Sequence, residues 1–147
     1  HVWSYDFVED KLSSGKKVRI LNIVDEYTRE CIASIPRYQF RSIHVKEALV
    51  DLFFQRGCPK HIRSDNGSEF IAGHLKEWFA RMDVGPLYIE PGFNGKMRFE
   101  FLNGEIFDTL TEMKILTDRW RTHYNTVRPH SSLHGRPPAP QTYQLIA

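Results

Sequence analysis

The chain has 147 residues with 20 Lys and Arg, 18 Asp and Glu, a formal net charge of +2, 41% hydrophobic and 13% aromatic residues. That length suits one domain. The apolar content argues against disorder, and no apolar run approaches the roughly 20 residues of a membrane span. A charge of +2 does not by itself single out a nucleic-acid partner, so the placement of charge has to decide it. No secretory signal pattern opens the chain, and a first residue of His1 reads as a piece of something longer. Cys31 and Cys58 make neither a C-x-x-C nor a zinc-spaced cluster, and read as free thiols of a reducing cytosol.

Residues 2–9, V-W-S-Y-D-F-V-E, alternate around β-branched and aromatic side chains and predict a strand. Ser13-Ser14-Gly15 signals a turn. Lys17 to Asp25 and Arg29 to Pro36 predict two further strands, and the short links favour an antiparallel meander. The period then changes: Ile43, Val45, Ala48, Leu49, Leu52 and Phe53 describe an amphipathic helix, with Ser42 as its cap and Gly57 as a left-handed stop. Lys60 to Ser64 is a short strand. Ser68 to Met82 is helical, with Phe70, Leu75, Trp78 and Phe79 on one side, and Gly85 to Glu90 is a fifth strand. Phe93 to Leu102 reads as helix. Thr109 and Glu112 form a capping box ahead of a strong helix from Leu110 to about Asn125. Beyond Pro129 the chain turns Pro-rich and extended. This order predicts an α/β fold with a mixed five-stranded sheet flanked by helices, in a ribonuclease-H-like arrangement. The core spans 1–128 and an extended tail 129–147.

Two carboxylates stand where that sheet brings strand ends together. Asp6 interrupts the apolar alternation of the first strand, and an acid there is expensive to bury unless paired or metal-bound. Asp65 ends the fourth strand before the sharp Asn66-Gly67 turn. In a sheet of this order the two strands are neighbours, so the acids face one another, and a divalent cation relieves their repulsion. Oxygen-only ligands favour Mg²⁺ or Mn²⁺, and a two-metal site suits in-line attack on a phosphodiester. The plainer readings are a turn residue for Asp65 and a solvent-facing edge acid for Asp6. Asp25 reads as structural, pairing with Arg29 or capping a turn.

The blocks W-S-Y-D-F-V, L-N-I-V-D-E-Y-T-R, I-R-S-D-N-G-S-E-F, Y-I-E-P-G, F-N-G-K-M-R and H-Y-N-T-V-R-P-H-S-S-L, in this order over nearly the whole chain, resemble the catalytic core of bacterial insertion-sequence transposases. These are the integrase-like enzymes with a D-D-E site in the retroviral-integrase superfamily. The resemblance implies a ribonuclease-H-like fold and Mg²⁺ (or Mn²⁺) dependence, with two ions expected when DNA is bound. It also implies cutting and joining of transposon-end and target DNA, homo-oligomers assembled on DNA, no membrane role, and a bacterial cytoplasmic, nucleoid-associated setting. Its first and second acids match Asp6 and Asp65. Its third, a helical Glu, stands just before the F-N-G-K block, in a segment that is missing where Gly92 runs into Phe93. Glu100 follows Asp65 at nearly the family spacing, but the block around it places it more than two helical turns too far along, so it is a weak alternative third acid. Either the protein has truly lost the segment, or the numbered residues omit an active-site loop. The second is preferred, since polar, Gly-containing active-site loops are often mobile.

Lys96 and Arg98 follow the gap on the helix that lies along DNA in the family, so the resemblance makes them phosphate-contact candidates, with a solvated helix face as the bland reading. Asn66 and Arg128 join them as DNA-binding candidates. From Arg119 onward there is no acid, and the stretch around Tyr124, Asn125, Arg128, Pro129 and His130 could touch DNA, pack a partner subunit, or simply pack. Trp120 reads as core. His123, His130 and His134 lack metal spacing. Two rivals remain: a ribonuclease-H-like nuclease that cuts without joining, and a decayed, catalytically dead fragment that only binds DNA.

Overall fold

The computed structural model describes residues 2–64, 69–88 and 93–127. The element order is β1 (Val2–Lys11), β2 (Lys17–Asp25), β3 (Cys31–Arg37), α1 (Ser42–Arg56), β4 (His61–Ser64), α2 (Glu69–Arg81), β5 (Gly85–Tyr88), α3 (Phe93–Glu100), a short 3-10 turn at Leu102–Gly104, and α4 (Leu110–Thr126). The strands form one sheet in the order β3-β2-β1-β4-β5. The first three are antiparallel, as the short links predict, while β4 runs parallel to β1 and β5 parallel to β4. The mixed five-stranded sheet expected from the element order is therefore present.

Local chemistry accounts for the joints. Gly15 closes the first hairpin at φ 88°, its N–H donating to the Leu12 carbonyl, a backbone position that favours glycine. Asp25 caps a turn, as one of its two readings had it: its Oδ1 accepts from the N–H groups of Tyr27 (2.9 Å) and Thr28 (3.2 Å). Arg29 adopts φ 68° in that turn, so β3 begins at Cys31 and not at Arg29. Ser42 is not the cap of α1. Arg41 occupies that position in extended backbone, and its N–H donates to His44 Nδ1 at 2.9 Å. Gly57 does stop the helix, but at φ 81° and ψ 165°, a region open essentially to glycine and distinct from the left-handed helical one. Thr109 caps α4 by accepting from the Glu112 N–H.

Two apolar cores lie on the two faces of the sheet. Beneath α1 and α2, Trp3, Tyr5, Leu21, Ile23 and Ile62 meet Val45, Leu49, Phe53, Leu75 and Phe79. Beneath α3 and α4, Val8, Val18, Ile20 and Cys31 meet Phe93, Met97, Phe101, Met113 and Tyr124. Trp120 joins this second core, stacked on Phe101 at 5.8 Å between ring centroids and tilted against Phe93 and Tyr124. Each such aromatic pair adds about 0.5–1.5 kcal/mol beyond its buried area. The side chain of Phe70 lies outside the described residues, as do Asp65, Asn66, Glu90, Arg128 and the tail.

Candidate active site

Strand alternation puts Trp3 and Tyr5 on the α1/α2 face, and sends Asp6 and Val8 to the α3/α4 face. Asp6 is therefore a carboxylate set into an apolar layer, only 7% exposed. One of its oxygens, Oδ1, accepts from the Phe7 N–H at 2.8 Å. β4 pairs with β1 from Val2↔His61 to Tyr5↔Ser64, so its last described residue stands one position short of Asp6.

The ladder does something here that the strand pattern alone did not reveal. Asp6 is opposite Asn22, and Asn22 is opposite Ser34. Residues opposite one another share a face, so a carboxylate, an amide and a hydroxyl form a polar row across three strands. Asn22 is only 2% exposed. Its Oδ1 accepts from Ser34 Oγ at 2.7 Å, and its Nδ2 donates to the thioether of Met97 on α3 at 3.2 Å. A thioether is a weak acceptor, so the amide is held in place more by packing than by that bond. The signal available in the sequence was one Asn inside the run I-L-N-I-V.

The remaining candidates separate. Lys96 is exposed on α3, where it is free to meet solvent or a polyanion. Arg98 reaches back to β1, its Nη2 donating to the Glu9 carbonyl, which ties α3 to the sheet. Glu100 is exposed on the last residue of α3. Asp65, Asn66 and Arg128 lie outside the described residues. Among the described residues no group of three or more His, Cys, Asp or Glu is placed to hold a metal ion.

Tyr124 and Asn125 serve packing. Asn125 is 1% exposed and treats β3 as a strand partner would: its Oδ1 accepts from the Cys31 N–H (2.8 Å) and its Nδ2 donates to the Cys31 carbonyl (2.9 Å). Arg121 donates to the same carbonyl at 3.2 Å. An edge strand's backbone groups are thus satisfied by a helix. The Cys31 thiol beneath is pushed up to about 12 by burial, so it stays protonated and unreactive. Both cysteines are free, Cys31 buried and Cys58 exposed.

Two family models described as Integrase core domain match the chain, one over residues 1–93 and one over 88–138. Among curated proteins the chain is similar to the insertion element IS476 uncharacterized 39.2 kDa protein of Xanthomonas euvesicatoria, at 35% identity over 93% of this chain and 42% of that protein. It is similar also to the insertion element IS407 uncharacterized 31.7 kDa protein of Burkholderia multivorans, at 36% identity over 94% of this chain and 53% of that protein. The chain spans about half the length of these relatives. Among solved structures, the HTLV-2 integrase catalytic core domain in complex with magnesium superposes with a TM-score of 0.65 in its dimeric form, at 17% identity over 93% of this chain and 91% of that one. Its trimeric form gives 0.68, at 17% identity over 92% of each chain. A chain of the simian T-cell lymphotropic virus intasome, solved with the PP2A regulatory subunit B56 gamma, gives 0.67 at 15% identity, over 95% of this chain and 56% of that one. At these identities the likeness concerns the fold, and the fold is the ribonuclease-H-like one.

Proposed function

Because the chain belongs to the integrase core domain family, we propose that it is the catalytic core of an insertion-element transposase, performing metal-dependent cleavage and strand transfer on DNA. The observation that carries this reading is Asp6, a carboxylate buried in an apolar layer beside the end of a parallel β4. Asp65, the second acid of the resemblance, follows the last residue of β4, Ser64, directly in the sequence. Two hard oxygen donors at one strand end suit Mg²⁺ or Mn²⁺. When bound, such ions supply activation of a water or 3′-hydroxyl and stabilisation of the leaving oxygen. The protein's own part is positioning. The Phe7 N–H holds one Asp6 oxygen, the Asn22–Ser34 row keeps the neighbouring strand polar at that level, and Arg98 anchors α3 over it.

The third acid belongs to the segment that the resemblance places between Gly92 and Phe93. The alignments to the curated relatives run over 147 and 148 residues while covering 93% and 94% of the chain, so about ten positions of each alignment have no counterpart in this chain, which is compatible with a stretch of that size. A peptide map in which Gly92 is joined directly to Phe93 means a true deletion and favours the catalytically dead, DNA-binding reading; about ten residues, roughly a kilodalton, between them restore the Glu. On this proposal the partners are transposon-end and target DNA, the protein oligomerises on them, and it works in the bacterial cytoplasm at the nucleoid. The boundary near residue 128 separates this core from its tail.

The test is cleavage and joining of paired element-end DNA by the full-length protein with Mg²⁺ or Mn²⁺. Asp6→Asn and Asp65→Asn should each lower both by about a hundredfold or more, as loss of a preorganised charge-stabilising group does. Cleavage without joining would assign the chain to the nuclease rival, and cleavage unaffected by either substitution would remove Asp6 and Asp65 from the chemistry.

A further inference from the structure

A second site lies at the far edge of the sheet, where the end of β3, the start of α1 and the start of α4 meet. A cavity of about 440 Å³ opens there. That is within the usual size range of ligand pockets. Arg37, Tyr38, Gln39, Arg41 and His44 line one side and Leu110 and Lys114 the other, and among the described residues no Asp or Glu lines it. We propose that this cavity is a phosphate-binding site that grips the backbone of duplex DNA away from the reacting phosphodiester.

The charge argument comes first. The ion pairs among the described residues are Arg19–Glu9, Arg56–Glu30, Arg63–Glu26 and Arg121–Asp118. None involves Arg37, Arg41 or Lys114, so three positive charges converge on one hollow with no carboxylate paired to them among the described residues. Lys16 adds a fourth nearby, its Nζ 4.0 Å from the centre of the Tyr38 ring. In a chain with a net charge of only +2, an acid-free group of this size is a local concentration and not the average surface.

The donors are also partly preset. Arg37 Nε donates to the Gln39 carbonyl at 3.2 Å, which fixes the guanidinium plane and leaves its outer nitrogens available. His44 Nδ1 accepts from the Arg41 N–H, so the neutral ring carries its proton on Nε2 and presents a donor. Two helices, α1 and α4, begin at the cavity, and their N-terminal ends favour an anion. Leu110 also lines the cavity, but the charged groups there are all positive, which suits phosphate oxygens.

The position separates this site from the chemistry. Arg37 pairs in register with Arg19, and Arg19 with Glu9, three residues beyond Asp6 on β1. At about 4.8 Å per strand and 3.3 Å per residue, Arg37 stands roughly 14 Å from Asp6, too far to share a phosphate with it. The cavity's occupant is thus a different phosphate of the same polyanion. The choice of DNA rests on the function proposed above; the pocket itself rests on its own geometry.

The experiment is a salt titration of duplex-DNA binding by the full-length protein in EDTA, followed by fluorescence anisotropy. In the triple variant R37A/R41A/K114A the slope of log K against log [salt] should become shallower by about two to three, since each lost phosphate contact removes about 0.9. The charge-keeping R37K/R41K should retain the slope. A control triple on exposed cations elsewhere, K60A/K76A/R81A, should leave it unchanged. The proposal is overturned if the first triple keeps the wild-type slope, or if both triples lower it equally. A wild type that cuts DNA while the first triple binds unaltered sinks the pocket alone; a wild type that does not bind duplex at all sinks the pocket and the transposase reading together.

Discussion

The two faces of the sheet solve the same packing problem with different materials. Under α1 and α2, the inward residues of β1 and β2 are Trp3, Tyr5, Leu21 and Ile23, apolar or aromatic throughout. Under α3 and α4, the same strands supply Val8, Val18 and Ile20, but the layer is interrupted by Asp6, Asn22 and Ser34 in one row, and by Asn125 against Cys31. A purely apolar face is sufficient for stability. Buried polar groups on the other face therefore need separate reasons. Asn125 has one in the edge strand it completes, and Ser34 has one in Asn22. Asp6 accepts from the Phe7 N–H and stands in register with Asn22, and the proposed metal site is a further use of that same carboxylate.

Four results would break or sharpen that contrast. The largest effect is expected at Asp6. Asp6→Asn should lower metal-dependent DNA cleavage by about a hundredfold or more while leaving the thermal midpoint at or above that of the wild type, because a buried charge is removed. Unfolding of this variant would make Asp6 a structural residue and end the contrast. On the apolar face, Leu49→Ala should cost about 2–5 kcal/mol in denaturant unfolding, with cleavage per folded molecule unchanged. A loss of cleavage exceeding the loss of folded protein would show the two faces to be coupled.

Asn125→Ala leaves the buried Cys31 N–H and carbonyl short of their amide partner. It should cost about 1–3 kcal/mol and speed hydrogen exchange at the Cys31 amide, with Arg121 still covering part of the carbonyl. The smallest effect concerns the thiols. At pH 8 a thiol reagent should modify exposed Cys58 at once, and Cys31 only as the chain unfolds. Burial raises the Cys31 thiol from 9.0 to about 12, so the folded chain holds that proton more tightly than the unfolded one. This contribution is whole below pH 9 and is lost as pH rises toward 12, where stability should fall. Prompt labelling of Cys31 in the folded chain would contradict its burial.

The contrast also marks what could be read from residues alone. Strand and helix order follow from hydrophobic period, which needs no partner: the change from alternation in W-S-Y-D-F-V to the Val45, Leu49, Leu52 spacing suffices. Asp6 stood out because it breaks such a pattern. Asn22 carries no such signal, because its meaning depends on register, and register is set by the whole hairpin and not by the strand. Asn125 was legible only as an ambiguous member of the Y-N-x-x-R-P-H block, since its partner, the Cys31 backbone, lies 94 residues away. The basic cavity was invisible for the same reason. Arg41 and Lys114 are far apart in the chain and meet only where two helices begin at one sheet edge.

The central claim is that the polar break in the second face is a metal site. The most direct test is a Mn²⁺ titration of the isotopically labelled protein, followed by paramagnetic broadening of its amide signals. Broadening should appear first at Asp6, at Phe7, whose N–H holds the Asp6 carboxylate, and at Asn22, and should vanish in Asp6→Asn while that variant remains folded. Broadening that persists in the variant, or that centres elsewhere on the chain, would contradict the account.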